Sequence, residues 1–134
     1  MNLDIKSQVK QGILLAPQTI TATNTPTAGV ELTGSTGRGL AIVVLGAITG
    51  TTVVATVQIN ESGVSNFASD TADVAGAVSA SISETSDNTI LMIPFSLSGR
   101  KKYVRAVTTI SGTSPSLLIS VVLLYGGFAS LSAN

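Results

Sequence analysis

Serine and lysine are the residues that come nearest to a reactive pair in this chain. A serine hydroxyl becomes a nucleophile only with a base in hydrogen-bond reach. The sequence contains no histidine and no cysteine. The commonest general base, the usual metal ligand and the thiol nucleophile are therefore all missing. Only Ser98, just ahead of Lys101 and Lys102, sets a hydroxyl beside a potential base. The intervening Gly99 marks a turn open to water, where a lysine stays protonated and cannot take a proton. The expectation is a structural turn and no catalytic residue.

The acidic residues Asp70, Asp73, Glu84 and Asp87 form the second candidate. Neighbouring carboxylates can hold calcium or share acid and base roles. Their spacing fits no calcium loop, and Asp in the turns of β proteins commonly bonds backbone amides. Turn chemistry is expected, with no metal and no cofactor. Gly34, Gly37 and Gly39 match neither a phosphate loop nor a dinucleotide fingerprint, and no Lys-Ser/Thr pair follows them. Asn60-Glu61-Ser62 has the form of a glycosylation acceptor, a three-residue pattern that chance supplies often. Without cysteine, disulfides, cysteine-bound zinc and iron–sulfur clusters are excluded.

Seven basic residues balance seven acidic ones, and the aromatics are two Tyr and three Phe. A chain with no net charge lacks the electrostatic term that drives nucleic-acid binding, so no nucleic acid is expected. The one basic concentration is Arg100, Lys101 and Lys102, with Arg105 close behind. Such a run either faces water and blocks strand pairing at an edge or meets an acidic protein surface. Charged residues make up only 10% of the chain, against roughly a quarter in an average soluble domain, and mean hydropathy is positive. No run reaches the ~18 apolar residues of a spanning helix, so no membrane partner is expected. Ile13, Leu14 and Leu15 follow Lys6 and Lys10 in a core too short for a signal peptide. They read as a docking arm or a first strand. The apolar excess itself predicts contacts between copies, a homodimer or homotrimer, because a domain of this size rarely leaves a large apolar patch uncovered.

These residues must be positioned by strands. Apolar alternation at a period of two recurs between turn signals from about residue 18 to residue 125. Gln18–Thr23 and Ala28–Thr33 open the series. Leu40–Leu45 is apolar on both faces, as a central strand would be. Val53, Ala55, Val57 and Ile59 alternate with Thr52, Thr56, Gln58 and Asn60. Glu61–Asn66 reads as a turn, Phe67–Ala72 as a short edge strand, and Asp73–Ser86 as loop. In Asn88–Leu97, Pro94 lacks an amide proton, so that strand is expected at an edge or with a bulge there. The clearest signal is the last. In Lys102–Ile110, Tyr103, Arg105, Val107 and Thr109 face one way, while Val104, Ala106, Thr108 and Ile110 face the other. In Leu117–Tyr125, Leu117, Ile119, Val121, Leu123 and Tyr125 share a face. Ser111–Ser116 joins them as the turn of a hairpin. With 134 residues there is room for one domain. The expected fold is all-β: a single-domain antiparallel β-sandwich, as an eight-stranded jelly roll. Residues 1–17 are expected as an N-terminal arm, 18–126 as the sandwich and 127–134 as a C-terminal tail.

Several segments also resemble the small decoration, or cement, proteins of tailed-phage capsids. They are Leu15-Ala16-Pro17-Gln18-Thr19-Ile20, Thr49-Gly50-Thr51, Gln58-Ile59-Asn60-Glu61-Ser62, Asp73-Val74-Ala75-Gly76-Ala77 and Asn88-Thr89-Ile90. The strongest runs from Tyr103-Val104-Arg105-Ala106-Val107 through Ser111-Gly112-Thr113-Ser114-Pro115-Ser116. Two departures stand out: Lys102, where these proteins often have Arg, and Gly63-Val64, where Asp-Gly tends to follow the Glu-Ser pair. The resemblance implies a jelly-roll protein without catalytic residues. It would be made in the host bacterial cytoplasm and carried on the outer surface of the virion. Its partners would be the major capsid protein of a phage head and further copies of itself. On that reading Ile13, Leu14, Leu15, Arg100, Lys101, Lys102 and Arg105 are the expected capsid or oligomer contacts. The alternative is a secreted or surface adhesive, carbohydrate-binding β-sandwich module, which would display exposed aromatics.

Overall fold

The computed structural model describes residues 9–32 and 37–126. The expected C-terminal tail, the first eight residues and residues 33–36, with Gly34, lie outside that range. The described chain forms β1 (Val9–Ile20), β2 (Val30–Glu31), β3 (Arg38–Ser62), β4 (Ala72–Val78), β5 (Ile90–Ser96) and β6 (Tyr103–Gly126). No helix interrupts the strands.

β3 and β6, of 25 and 24 residues, organise the molecule. Fully extended, such a strand spans roughly 80 Å, whereas a compact domain of this length has a radius of gyration of about 14 Å. The pair must therefore fold over, and it does so together. β3 and β6 stay antiparallel partners from Arg38↔Gly126 to Ser62↔Tyr103. Register shifts fall only between Leu45 and Val54, opposite Ser111–Leu117. There Gly50, Thr52, Gly112 and Ser114 take positive φ, the signature of bulges that bend a ladder without breaking it.

The bend yields two layers. In the first, the early half of β3 and the late half of β6 are flanked by β5 and β1, in the order β5-β3-β6-β1. In the second, the remaining halves are flanked by β4 and β2, in the order β4-β3-β6-β2. Val43, Ile93, Ile119 and Val121 from the first layer share one buried cluster with Val57, Ile59, Val74 and Ala106 from the second. Counting each long strand twice gives eight segments in two four-stranded layers, the arrangement of a jelly roll.

The all-β sandwich expected from the alternation is present, built from six continuous strands rather than eight separate ones. The faces on both halves of β6 are as expected: Val104, Ala106, Thr108 and Ile110 are buried, as are Leu117, Ile119, Val121, Leu123 and Tyr125. The hairpin is not formed. The two halves of β6 pair with β3 and not with each other, because a second long strand bends in step and offers both halves a partner. Of Phe67–Ala72, expected as an edge strand, residues 67–71 are not strand, with positive φ at Phe67 and Asp70, while Ala72 opens β4 (Ala72–Val78), which takes in the start of the expected loop. Pro94 lies exposed on β5, which hydrogen-bonds only to β3, so its missing amide proton faces no partner. Val9–Pro17, expected within an arm, is most of β1 and pairs with β6. It is strand because Leu14 and Leu15 point into the core, each 4% exposed.

Candidate interaction surface

The two layers present unlike outer faces. On the second, Gln58, Asn60 and Ser62 of β3 stand in register with Val107, Arg105 and Tyr103 of β6. The motif Gln58-Ile59-Asn60-Glu61-Ser62 thus lies residue for residue against Tyr103-Val104-Arg105-Ala106-Val107. Asp73, from a third such segment, pairs with Asn60 across β4, and the Asn60 amide donates to its carboxylate. The bend brings Thr49 and Thr51 opposite Ser116 and Thr113 in the same manner. Segments widely spaced along the chain are neighbours in the fold.

Arg105 is the centre of this face. Its Nη1 donates to the Pro26 carbonyl at 2.8 Å and its Nε to Asn60 Oδ1 at 3.4 Å. Its guanidinium lies 4.3 Å from the centroid of the buried Phe67 ring, within cation–π range. Partial burial pulls its pKa down from the ordinary arginine value, although an arginine stays charged.

The other three cations are also engaged. Arg100 Nη1 is 3.4 Å from Glu61 Oε2, and the same carboxylate oxygen accepts the Lys101 backbone amide at 3.1 Å. Lys101 Nζ sits 3.7 Å from Asp70 Oδ2 and donates to the Asp70 carbonyl. Lys102 Nζ is 3.5 Å from Glu31 Oε1 and 5.5 Å from the Tyr103 ring centroid. The basic run is neutralised within the chain. Two of these pairs are well exposed, where an ion pair contributes about 0–1 kcal/mol; Glu61, which is buried, holds the better-shielded one. What sequence reading missed is the acceptors. Glu61 and Phe67 had no periodic signal, being a strand end and a turn residue whose partners lie far along the chain.

Three of the four acidic residues accept backbone amides, as their turn setting suggested, and for Glu84 and Asp87 those amides lie far along the chain. Asp87 Oδ1 accepts the Ile48 amide at 2.9 Å and Glu84 Oε2 the Val53 amide at 3.0 Å. Both amides are released from the ladder where β3 bulges. Asp70 accepts from the Ser62 hydroxyl at 2.8 Å and the Gly63 amide at 3.0 Å. The Ser62 hydroxyl, then the Gly63 amide, lowers its pKa below the ordinary aspartate value of 3.8, with Lys101 adding to them. Among the described residues no three acidic side chains converge as a metal site would require. Ser98 is exposed, and Lys101, the nearer base, is turned to Asp70.

The first layer's outer face is apolar. One row crosses all four strands: Met92 of β5, Ile42 of β3, Val122 of β6 and Ile13 of β1. Pro94, Leu40, Leu124 and Gln11 form the next row, with Ile90, Val44 and Ser120 on the other side. Of the expected contact residues only Ile13 is on this face; Leu14 and Leu15 belong to the core.

No family model matches the chain, and no curated protein does either. Solved structures are similar in backbone course. A structure of the Gx strain of infectious bursal disease virus aligns at 13% identity and a TM-score of 0.48, covering 90% of this chain and 32% of that one. This chain thus spans about a third of the viral one. The prophage-derived protein YomS of SPBc2 aligns at 11% identity and a TM-score of 0.44, covering 87% and 94%. A Bacillus endospore appendage protein, from disulfide-linked pili, aligns at 17% and 0.43, covering 89% and 88%. At these identities and scores the likeness says nothing of partner or chemistry.

Proposed function

We propose that this chain is a non-catalytic structural protein of the virion, a cement protein that binds the outer surface of a tailed-phage head and ties major capsid subunits together. The observation that carries the reading is the pairing of Gln58–Ser62 against Tyr103–Val107, with Asp73 alongside. Three of the segments that resemble decoration proteins thus meet in one contiguous unit of the second layer and are not scattered turns. The bent β3–β6 pair supports the same role. Its ladder runs the length of both layers, so a load applied at either end is shared by many backbone hydrogen bonds.

The carbohydrate-binding alternative needs aromatic platforms. Among the described residues Phe67, Phe95 and Tyr125 are buried, and Tyr103 is half-buried beneath Lys102. Among the described residues these aromatics leave no stacking surface for a sugar ring.

The test is cosedimentation with tailed-phage heads purified without their decoration protein. Saturable binding at a fixed ratio to the major capsid protein, together with a raised melting temperature of the shell, is the expected result. Failure to bind such heads, with specific retention on a glycan array, would overturn the proposal in favour of the adhesive module.

A further inference from the structure

Of the large apolar side chains left exposed among the described residues, Ile13, Val44, Ile90, Met92 and Leu118 lie on the outer face of the β5-β3-β6-β1 layer. Ile90 and Met92, 59% and 64% exposed, are its ridge along the β5 edge. Towards the opposite edge the face is indented. A groove of about 230 Å³ is lined by Pro17 of β1, Val44, Leu45 and Gly46 of β3, and Leu118, Ile119 and Ser120 of β6. Gly46 keeps it open, because a Cβ there would meet Leu118 Cδ2 at 2.7 Å. A side chain at that position would push Leu118 out over the groove.

We infer that this face joins two copies of the chain in an isologous dimer, with the Ile90–Met92 ridge of each seated over the Pro17–Gly46–Leu118 groove of the other. A two-fold axis parallel to the strands lays the β5 edge of one layer over the β1 edge of its mate. That brings ridge to groove twice, as an isologous contact demands. Layers stacked with strands nearly aligned are a standard sheet packing.

Charge selects a second copy over a charged partner. The outward positions of this layer carry no acidic side chain, and Arg38 at one corner is the only basic one among the described residues of β3, β5 and β6 there. Two such faces bring only their corner Arg38 side chains as charges from these strands and bury no carboxylate. The size is adequate. Four strands about 4.8 Å apart and seven residues at about 3.3 Å each give a face of roughly 19 by 23 Å. Two of them hide on the order of 900 Å² in projection, and side-chain relief carries that to the low end of stable interfaces, about 1,200 Å².

The inference does not depend on the capsid role, since it concerns the free protein. The experiment is sedimentation equilibrium of the full chain alone at micromolar concentration, which should give the mass of two copies. An Ile90→Thr/Met92→Thr variant removes the ridge while keeping β-compatible side chains, and should weaken association about tenfold or more. Ser120→Arg, which sets a charge in the groove without touching the core, should do the same. Circular dichroism of each variant should show the parent's cooperative β melt. A wild-type monomer, a three-copy assembly, or a dimer indifferent to both variants would overturn the inference. Shell binding by a wild-type monomer would sink it while leaving the capsid proposal standing.

Discussion

The guanidinium of Arg105 lies over the ring of Phe67, 4.3 Å from its centroid, and this contact pins the turn after β3 onto the second layer. The same guanidinium holds the Pro26 carbonyl, so one side chain fastens two connections. Arg105→Ala should cost about 1–3 kcal/mol in urea denaturation, from the lost cation–π contact and the stranded acceptors. Arg105→Lys should recover only part of it, because an ammonium cannot stack on the ring and reach both oxygens at once.

Two glycines with positive φ separate backbone strain from crowding. At Gly112, φ is +124° and a Cβ would stand 2.9 Å from the Thr51 and Thr52 carbonyls; at Gly76, φ is +77° and nothing lies within 4 Å. Gly76→Ala should therefore cost only about 1–2 kcal/mol, the penalty of a left-handed backbone. Gly112→Ala should cost more, since the β3–β6 bend must also open. Thermal melts of the two variants side by side give the comparison.

Asp70 sets an acid dependence. Its pKa is lowered in the folded chain, first by the Ser62 hydroxyl and then by the Gly63 amide. A depressed folded-state value means that the ionised carboxylate stabilises the fold above the ordinary value of 3.8, and that this contribution drains away as pH falls through the lower folded value. The stability difference between wild type and Asp70→Asn should hold steady above about pH 5 and shrink steadily into acid. A difference that does not change with pH would count against this.

Asp87 and Glu84 supply acceptors for amides that the β3 bulges release. Asp87→Ala should destabilise the chain by about 1–3 kcal/mol through the unpaired Ile48 amide. A chelator should leave the melting temperature of the wild type unchanged. A drop of several degrees on chelation would instead assign these carboxylates to a cation.

Much of the architecture could be read from alternation. The inward residues of both halves of β6, and those of the second half of β3, followed from a period of two, because successive side chains on a strand must point to opposite faces. The edge position of β5 followed from Pro94. Alternation tells which way a residue faces, however, and not which strand lies beside it. Ser111–Ser116 has the glycine and positive-φ chemistry of a hairpin turn, and the same chemistry serves a bend. The matching bend of β3 decided between them. β1 was legible only in part, because Leu14 and Leu15 are adjacent and both buried, a bulge that breaks the expected period.

The candidate surface divides the same way. The sequence by itself determined the absence of histidine and cysteine chemistry, the balance of charge and the all-β class, since these depend on residue types and local spacing alone. The tertiary structure decided what the charges do. Arg100, Lys101, Lys102 and Arg105 are consecutive or nearly so, yet their partners Glu61, Asp70, Glu31 and Asn60 come from three other parts of the chain. Only the packing of β2, β3 and the connection after β3 around β6 brings them within range, because an ion pair or hydrogen bond acts over a few ångströms. The same folding gathered the outward apolar residues of four strands into one face, with Arg38 at its corner.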